Sequence, residues 1–355
     1  MGKKMDKRVC LLDTNIIYLL AEIETNNYDM EKIKKLCLEN DCLIDLYSIF
    51  EIYNNSHLSL EQRIAIVDTL KDKKIKVNCN FLTSSIFKDD FNINLIAQED
   101  RNNIKNKLLM EIIPIYSDFF SKLAIVNFFI LFLLNPNAND EYFKELKLFM
   151  KKLLPVLNEH LKIVLEKICY ENNFFEKKLK KLYQSFVSSF FFTILNFNEN
   201  YFKNKSSADF SEYFERLLQE FKRKDFMDCN ICFVMEGSYK QNNLILPNMY
   251  KFQFKQKYST KADADCLFDD LANIICGKEE KLEKEWFKYM IKNLLYDEAF
   301  LKSNNFIDFL IIKDFTLNHK VNYLITCDKE MQKIMKVLSF NNKIGDSIKI
   351  IKTLE

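Results

Sequence analysis

The sequence contains very little glycine and proline, with four residues of each among 355. Both residues favour turns, so their scarcity indicates a mainly helical protein with few tight turns. Histidine and tryptophan are also rare, with three and one residues. The net charge is only +2, from 52 basic and 50 acidic residues, which excludes strong overall attraction to nucleic acid. Any such affinity must come from local patches of charge.

The sequence also lacks the features of secreted and membrane proteins. Its first ten residues, MGKKMDKRVC, contain no apolar signal-peptide core. The ten cysteines have irregular spacing, which is typical of free thiols in a reducing compartment. The most apolar run, 123–134, is about 12 residues long, whereas a transmembrane helix needs roughly 20. We therefore expect a cytoplasmic protein with no membrane segment, in which this run is a buried core helix.

Strand and helix patterns alternate near both ends of the chain. Apolar residues 8–13, 42–48 and 321–326 each predict a buried strand followed by a helix, and 347–354 predicts a final strand. Such alternation is typical of a parallel α/β sheet.

A long middle segment shows a different pattern, with Phe-, Leu- and Lys-rich helical periodicity. We predict that residues 1–84 and 291–355 form one discontinuous α/β domain, and that 85–290 is a mainly helical insertion. Three prolines are expected to mark helix starts or breaks in this insertion: Pro114, Pro136 and Pro155.

Four acidic residues lie on these elements. Asp13 and Asp328 follow predicted strands, where each could also serve only as a helix cap. Glu51 follows another strand, but Ser48-x-x-Glu51 also has the form of a capping box. Asp308 lies in the apolar helix FIDFLII, where burying a bare carboxylate costs several kcal/mol unless something compensates it.

The four acids are expected to converge. Ligand sites in parallel α/β sheets lie outside the carboxyl ends of the strands. Converging carboxylates repel one another unless a cation is bound, and hard oxygen ligands select Mg²⁺ or Mn²⁺. Such ions activate water for attack on a phosphodiester.

The sequence resembles the PIN-domain nucleases in four motifs that occur in the family's order. An apolar strand ends in Asp-Thr-Asn, a Ser-x-x-Glu follows the next strand, a third acid opens a helix, and a Thr-x-Asp closes the site. The matching residues are Asp13 and Asn15 in LLDTNIIYLL, Ser48 and Glu51 in DLYSIFEIY, Asp308 in FIDFLIIKDF, and Thr326 and Asp328 in LITCD. The resemblance covers roughly 5–80 and 295–355, and not the middle of the chain.

The resemblance implies a PIN-like, three-layer α/β/α domain with a central parallel sheet. It implies an endoribonuclease that cleaves single-stranded or structured RNA with metal-activated water, as a toxin or defence nuclease would. The catalytic residues and ligands of Mg²⁺ or Mn²⁺ would be Asp13, Glu51, Asp308 and Asp328. Hydrogen bonds from Asn15, Ser48 and Thr326 would orient them.

Two alternatives and several partners remain open at this point. One alternative is a structure-specific DNA nuclease, and the other is an inactive PIN-like scaffold that binds partners through its insertion. The insertion could also bind a regulator, and the chain could form a homodimer. Three basic segments are candidates for phosphate contacts or are merely solvated helix faces: 71–76, 177–181 and 222–224.

Overall fold

The structure is a computed structural model that describes most of the two ends of the chain and the main helices between them. The described stretches are 8–24, 30–55, 57–78, 92–97, 101–134, 139–171, 193–199, 209–223, 261–276, 321–329 and 348–350, with single positions elsewhere. The chain forms two compact units: Met1–Glu111 with Lys302–Glu355, and Ile112–Leu301.

The first unit contains a sheet of five parallel strands in the order β3-β2-β1-β4-β5. The strands are β1 (Val9–Leu12), β2 (Asp41–Asp45), β3 (Lys76–Asn78), β4 (Tyr323–Thr326) and β5 (Ile348–Ile350). The predicted parallel α/β sheet is therefore confirmed, with strands contributed by both ends of the chain. Strand β3 was not predicted from the sequence, because it has only three residues and begins just after the lysine-rich end of α4.

The strand at the centre of the sheet, β1, is buried on both faces. Cys10, Leu11 and Leu12 are all buried, although successive side chains of a strand point to opposite faces. A central parallel strand needs apolar residues at every position for this reason. The uninterrupted apolar run of the sequence is thus explained.

The helices that the structure describes in full in the N-terminal part of the first unit are α1 (Thr14–Leu20), α2 (Met30–Glu39), α3 (Leu46–Asn54) and α4 (Leu60–Asp72). Helix α1 contacts the other three and β4. Helix α4 begins with a true capping box, in which Ser59 and Gln62 exchange side-chain and backbone hydrogen bonds. The capping box considered at Ser48 and Glu51 is wrong, because α3 already begins at Leu46 and its N-cap is Asp45.

The described part of the second unit is mainly helical. Its principal helices are α5 (Arg101–Leu133), which begins in the first unit, α6 (Asp140–Glu171), α7 (Phe210–Lys222) and α8 (Lys261–Cys276). The expectation that Pro114 and Pro155 mark helix starts or breaks is wrong, since both lie inside continuous helices. Pro136 lies outside the described residues.

Helix α5 contains the apolar run that was predicted to be a core helix, and this run is buried in the structure. In the described residues one helical segment, Ile112–Leu133, is long and apolar enough to cross a membrane, and 83% of its most apolar window is buried inside the chain. Its buried polar side chains bond within the helix. Ser117 and Ser121 donate to the carbonyls of Pro114 and Asp118, and Asn127 donates to that of Leu123. Their burial therefore leaves these donors satisfied.

An aromatic cluster joins α5, α6 and α7. The ring of Phe214 lies 4.9 Å from that of Phe149, 5.4 Å from that of Tyr142 and 5.5 Å from that of Phe132, measured between centroids. These separations are typical of favourable aromatic pairs. The buried face of α7 thus accounts for much of the contact among these helices.

Candidate functional site

The order of the strands reverses direction at β1. The chain builds outward from β1 to β2 and β3, and then crosses to the other side of β1 to form β4 and β5. In parallel α/β sheets, ligands bind at such a reversal, in the crevice outside the carboxyl ends of the strands. Asp13 directly follows β1, and Thr326 is the last residue of β4.

Asp13 is held at this position by side chains from two elements. Its carboxylate oxygen Oδ2 accepts a hydrogen bond from the hydroxyl of Thr326 at 2.8 Å and from the amide of Asn15 at 3.4 Å. Asp13 occupies the N-cap position of α1, but its side chain makes no capping hydrogen bond. The residue is only 3% exposed. A capping role therefore does not explain why a carboxylate is buried here.

Asp328 is joined to the same group through Thr326. The backbone N–H of Asp328 donates a hydrogen bond to the Thr326 hydroxyl at 3.0 Å. Because the same hydroxyl donates to the Asp13 carboxylate, it connects Asp13 with Asp328. The Asp328 carboxylate accepts a hydrogen bond from the backbone N–H of Met331 at 3.0 Å. Asp328 is half-buried and caps the helical residues that follow.

The other two predicted acids are placed on helices of the first unit. Glu51 is half-buried in α3, and Asp308 is 9% exposed at a helical position close in sequence to the buried Leu310 and Ile311. Within the described residues, no three His, Cys, Asp or Glu side chains form a group that could hold a metal ion. The four acids therefore do not form a preformed metal site in the described residues, and their convergence on one ion remains a prediction.

A fifth acid, Asp45, was missed by the sequence analysis. It is the last residue of β2 and is fully buried, and its carboxylate accepts a hydrogen bond from the backbone N–H of Ser48 at 2.7 Å. The predicted strand, 42–48, extends through Ser48 and has Asp45 in its interior, whereas the observed strand ends at Asp45. The available signal was an aspartate three residues before a serine at a helix start, a typical N-cap arrangement.

Burial and mutual repulsion shift the pKa values of these carboxyl groups. Burial raises the pKa of Asp13 from 3.8 to about 6, with a further rise from the Asp328 charge, against the lowering effect of the Thr326 hydrogen bond. Burial also raises the pKa of Asp45 to about 7, with a smaller rise from the Asp13 charge, while the Ser48 backbone N–H lowers it. Among the described residues, no basic side chain is a main cause of the pKa shifts of Asp13 and Asp45. The negative charge at this edge of the sheet would be relieved by a bound proton or by a cation.

The donor chemistry of the edge fits a hard divalent ion. Its available ligands are carboxylate and hydroxyl oxygens, which suit Mg²⁺ or Mn²⁺. Burial, together with the Asp13 charge, raises the pKa of the neighbouring Cys327 thiol to about 12, so that in the absence of a metal this thiol is protonated at neutral pH. Zinc, which prefers thiolate and imidazole ligands, fits the edge less well.

Comparison of the chain with models of known families, with curated proteins and with solved structures finds no match. The resemblance to PIN-domain nucleases therefore remains a prediction from the sequence motifs around Asp13, Glu51, Asp308 and Asp328.

Proposed function

We propose that this protein is a divalent-metal-dependent nuclease of the PIN-like type that cleaves RNA. The observation that carries the proposal is the placement of Asp13. It is a buried carboxylate at the switch point of a parallel sheet, it makes no capping hydrogen bond, and Thr326 and Asn15 hold its Oδ2. Keeping a carboxylate there is costly, and binding a cation would offset the cost.

In this proposal, carboxylates of the chain form a negatively charged site for the metal ion. Asp13, Glu51, Asp308 and Asp328 would hold the ion, and Thr326 and Asn15 fix the orientation of Asp13. When bound, Mg²⁺ or Mn²⁺ supplies charge neutralisation for the phosphodiester and lowers the pKa of a water molecule. Without a cation, the carboxylates would repel the phosphates of RNA, so activity should require the metal.

A second candidate is a scaffold without activity, and the contacts of Asp328 favour it. The carboxylate of Asp328 caps a helix, and a cap explains its presence without any metal. A scaffold would bind its partners through the helices of the second unit. A DNA substrate is the other alternative to RNA.

The experiment is a cleavage assay with labelled single-stranded RNA, structured RNA, single-stranded DNA and branched DNA. We expect cleavage of RNA with Mg²⁺ or Mn²⁺, none with EDTA, and none by Asp13→Asn in either buffer. Asp41→Asn is the matched control, because Asp41 is an exposed carboxylate at the opposite end of β2.

The outcomes separate the candidates. Cleavage that survives EDTA would refute the metal-dependent nuclease, and cleavage of branched DNA alone would favour the DNA nuclease. A folded wild type that cleaves none of the four substrates in either metal would support the scaffold. Equal loss of activity in Asp13→Asn and Asp41→Asn would show that the effect is not specific to the site.

A further inference from the structure

The register of the sheet places polar residues of four strands in one row. Asp45 of β2 is paired with Asn78 of β3. One residue beyond the pair Leu12 and Ile44, Asp13 faces Asp45. The backbone N–H of Asp13 donates to the Ile325 carbonyl at 3.1 Å as part of the pairing between Leu12 and Ile325. One residue beyond this pair, the Thr326 hydroxyl donates to the Asp13 carboxylate at 2.8 Å. We call Asn78, Asp45, Asp13 and Thr326 the edge row, and all four are buried.

Two members of the edge row are adjacent carboxylates. Neighbouring strands lie about 4.8 Å apart, and in-register residues of parallel strands point to the same face. Asp13 and Asp45 should therefore project side by side from β1 and β2. The charge of Asp13 acts on Asp45 strongly enough to raise its pKa, which agrees with this proximity.

The carboxylate of Asp45 has unused capacity to bind a ligand. Oδ1 accepts the hydrogen bond from the Ser48 backbone, but the fully buried Oδ2 has no hydrogen bond of normal geometry. The Ser48 hydroxyl is near enough to lower the pKa of Asp45, yet it also forms no hydrogen bond of normal geometry. Buried polar atoms are usually well paired, so a buried carboxylate oxygen with no hydrogen bond of normal geometry, beside a second carboxylate, can accept a further partner.

A third donor is available in the residue that follows Asp13. The hydroxyl Oγ1 of Thr14 is buried and has no hydrogen-bond partner, and Thr14 is only 1% exposed. The carboxylates at the ends of β1 and β2, with the Thr14 hydroxyl on the residue after Asp13, offer up to three oxygen donors. This number is enough for Mg²⁺ or Mn²⁺, which bind through one or two carboxylates and fill their other positions with water or phosphate oxygens.

We infer that Asp45 is a metal ligand, which shares a divalent cation with Asp13 at the carboxyl ends of β2 and β1. The inference deepens the proposed function and rests on it for the role of the ion, but the cation site itself is defined by these two strands. Capping alone does not require this residue, because Asn or Ser would cap α3 equally well without a buried charge. The motifs of the PIN-like resemblance do not include Asp45, so the structure adds it to the site.

The test measures Mn²⁺ binding directly, by the loss of the free-ion signal in electron paramagnetic resonance. The proteins are the wild type, Asp45→Asn, Asp13→Asn and the control Asp41→Asn. Asn at position 45 keeps the shape and the cap and removes only the charge. Loss of a group that only hydrogen-bonds to a metal ligand typically weakens metal binding about 10–100-fold. Loss of a ligand itself should therefore raise the dissociation constant for Mn²⁺ at least about tenfold. Asp13→Asn should do the same, and Asp41→Asn should bind as the wild type does.

The same samples are used to check that each variant is folded. Cys10 and Cys42 are buried thiols on β1 and β2, and they should stay protected from a thiol reagent in every variant. Asp45→Ser serves as a second variant that retains a capping oxygen, should Asp45→Asn lose this protection.

The results distinguish failure of the inference from failure of the proposed function. Wild-type Mn²⁺ affinity in a folded Asp45→Asn would overturn the inference, as would the absence of Mn²⁺ binding by the wild type. Binding that depends on Asp45, without cleavage of any nucleic acid, would uphold the cation site and reject the nuclease. Cleavage that depends on Asp13, with unchanged affinity in Asp45→Asn, would uphold the nuclease and reduce Asp45 to a helix cap.

Discussion

Replacing Asp13 by Asn should stabilise the metal-free protein, and the gain should depend on pH. The folded pKa of Asp13, about 6, lies above its ordinary value of 3.8, so the folded state binds the proton more tightly. The stability that this proton contributes is fully present below pH 3.8 and is lost as the pH rises through 6. At pH 8 the wild type therefore carries a buried charge that the variant lacks.

The size of the effect follows from the same two values. Each pKa unit corresponds to about 1.36 kcal/mol, so a rise from 3.8 to about 6 corresponds to about 3 kcal/mol. Asp13→Asn should thus be more stable than the wild type by up to about 3 kcal/mol at pH 8, and by about half of that at pH 5. Asn retains a carbonyl oxygen that can accept the Thr326 hydroxyl, so the main hydrogen bond survives.

The assay is urea unfolding in EDTA at both pH values, followed by a short pulse of thiol reagent. Modification of Cys10 and Cys42 reports on the first unit, and modification of Cys276 reports on the second. Variant and wild type are compared at the same pH, so the intrinsic reactivity of the thiols cancels.

Saturating Mn²⁺ provides the second half of the test. An ion at a hundred times its dissociation constant stabilises the wild type by about 2.7 kcal/mol, and it should stabilise Asp13→Asn much less. Adding Mn²⁺ at pH 8 should therefore reduce or abolish the advantage of the variant. A variant that is less stable than the wild type at pH 8, or an advantage that is equal at both pH values, would refute this reasoning.

Two further predictions concern one hydrogen bond and one core side chain. Thr326→Val removes the hydroxyl that donates to Asp13 and accepts from the Asp328 N–H, so it should lower the free energy of unfolding by about 1–3 kcal/mol at pH 8. Thr326→Ser keeps the hydroxyl and should lower it much less. Equal urea midpoints for the two variants would contradict this. Phe214→Ala empties the centre of the aromatic cluster and should cost about 3–5 kcal/mol. Its effect should appear at Cys276, and a change confined to Cys10 and Cys42 would show that the cluster does not stabilise the second unit.

The sequence was sufficient to locate β1, β2 and β4 and to place Asp13 and Asp328 just beyond two strand ends. Their apolar runs are continuous because central parallel strands are covered on both faces. Because these runs have no alternation of polar and apolar residues, the sequence does not show the register in which the strands pair. The adjacency of Asp13 and Asp45 was therefore invisible until the strands were aligned.

The errors in the helices have a different origin. A proline inside a helix costs about 3 kcal/mol, and local rules consequently predict a break at Pro114 and at Pro155. Each of these prolines lies in a helix of more than 30 residues with an extensive buried face, and that burial outweighs the local cost. Local sequence signals could not reveal this, because the compensation comes from residues far away in the chain.

The bond between Thr326 and Asp13 joins residues that are 313 positions apart. A chain made from its N-terminus therefore completes β1, β2 and β3 long before β4 exists. Until then β1, the most apolar strand of the sheet, has one edge unpaired, and such edges invite association with other chains. The order of synthesis also means that no nascent chain shorter than about 330 residues can hold the assembled Thr326–Asp13–Asp328 group.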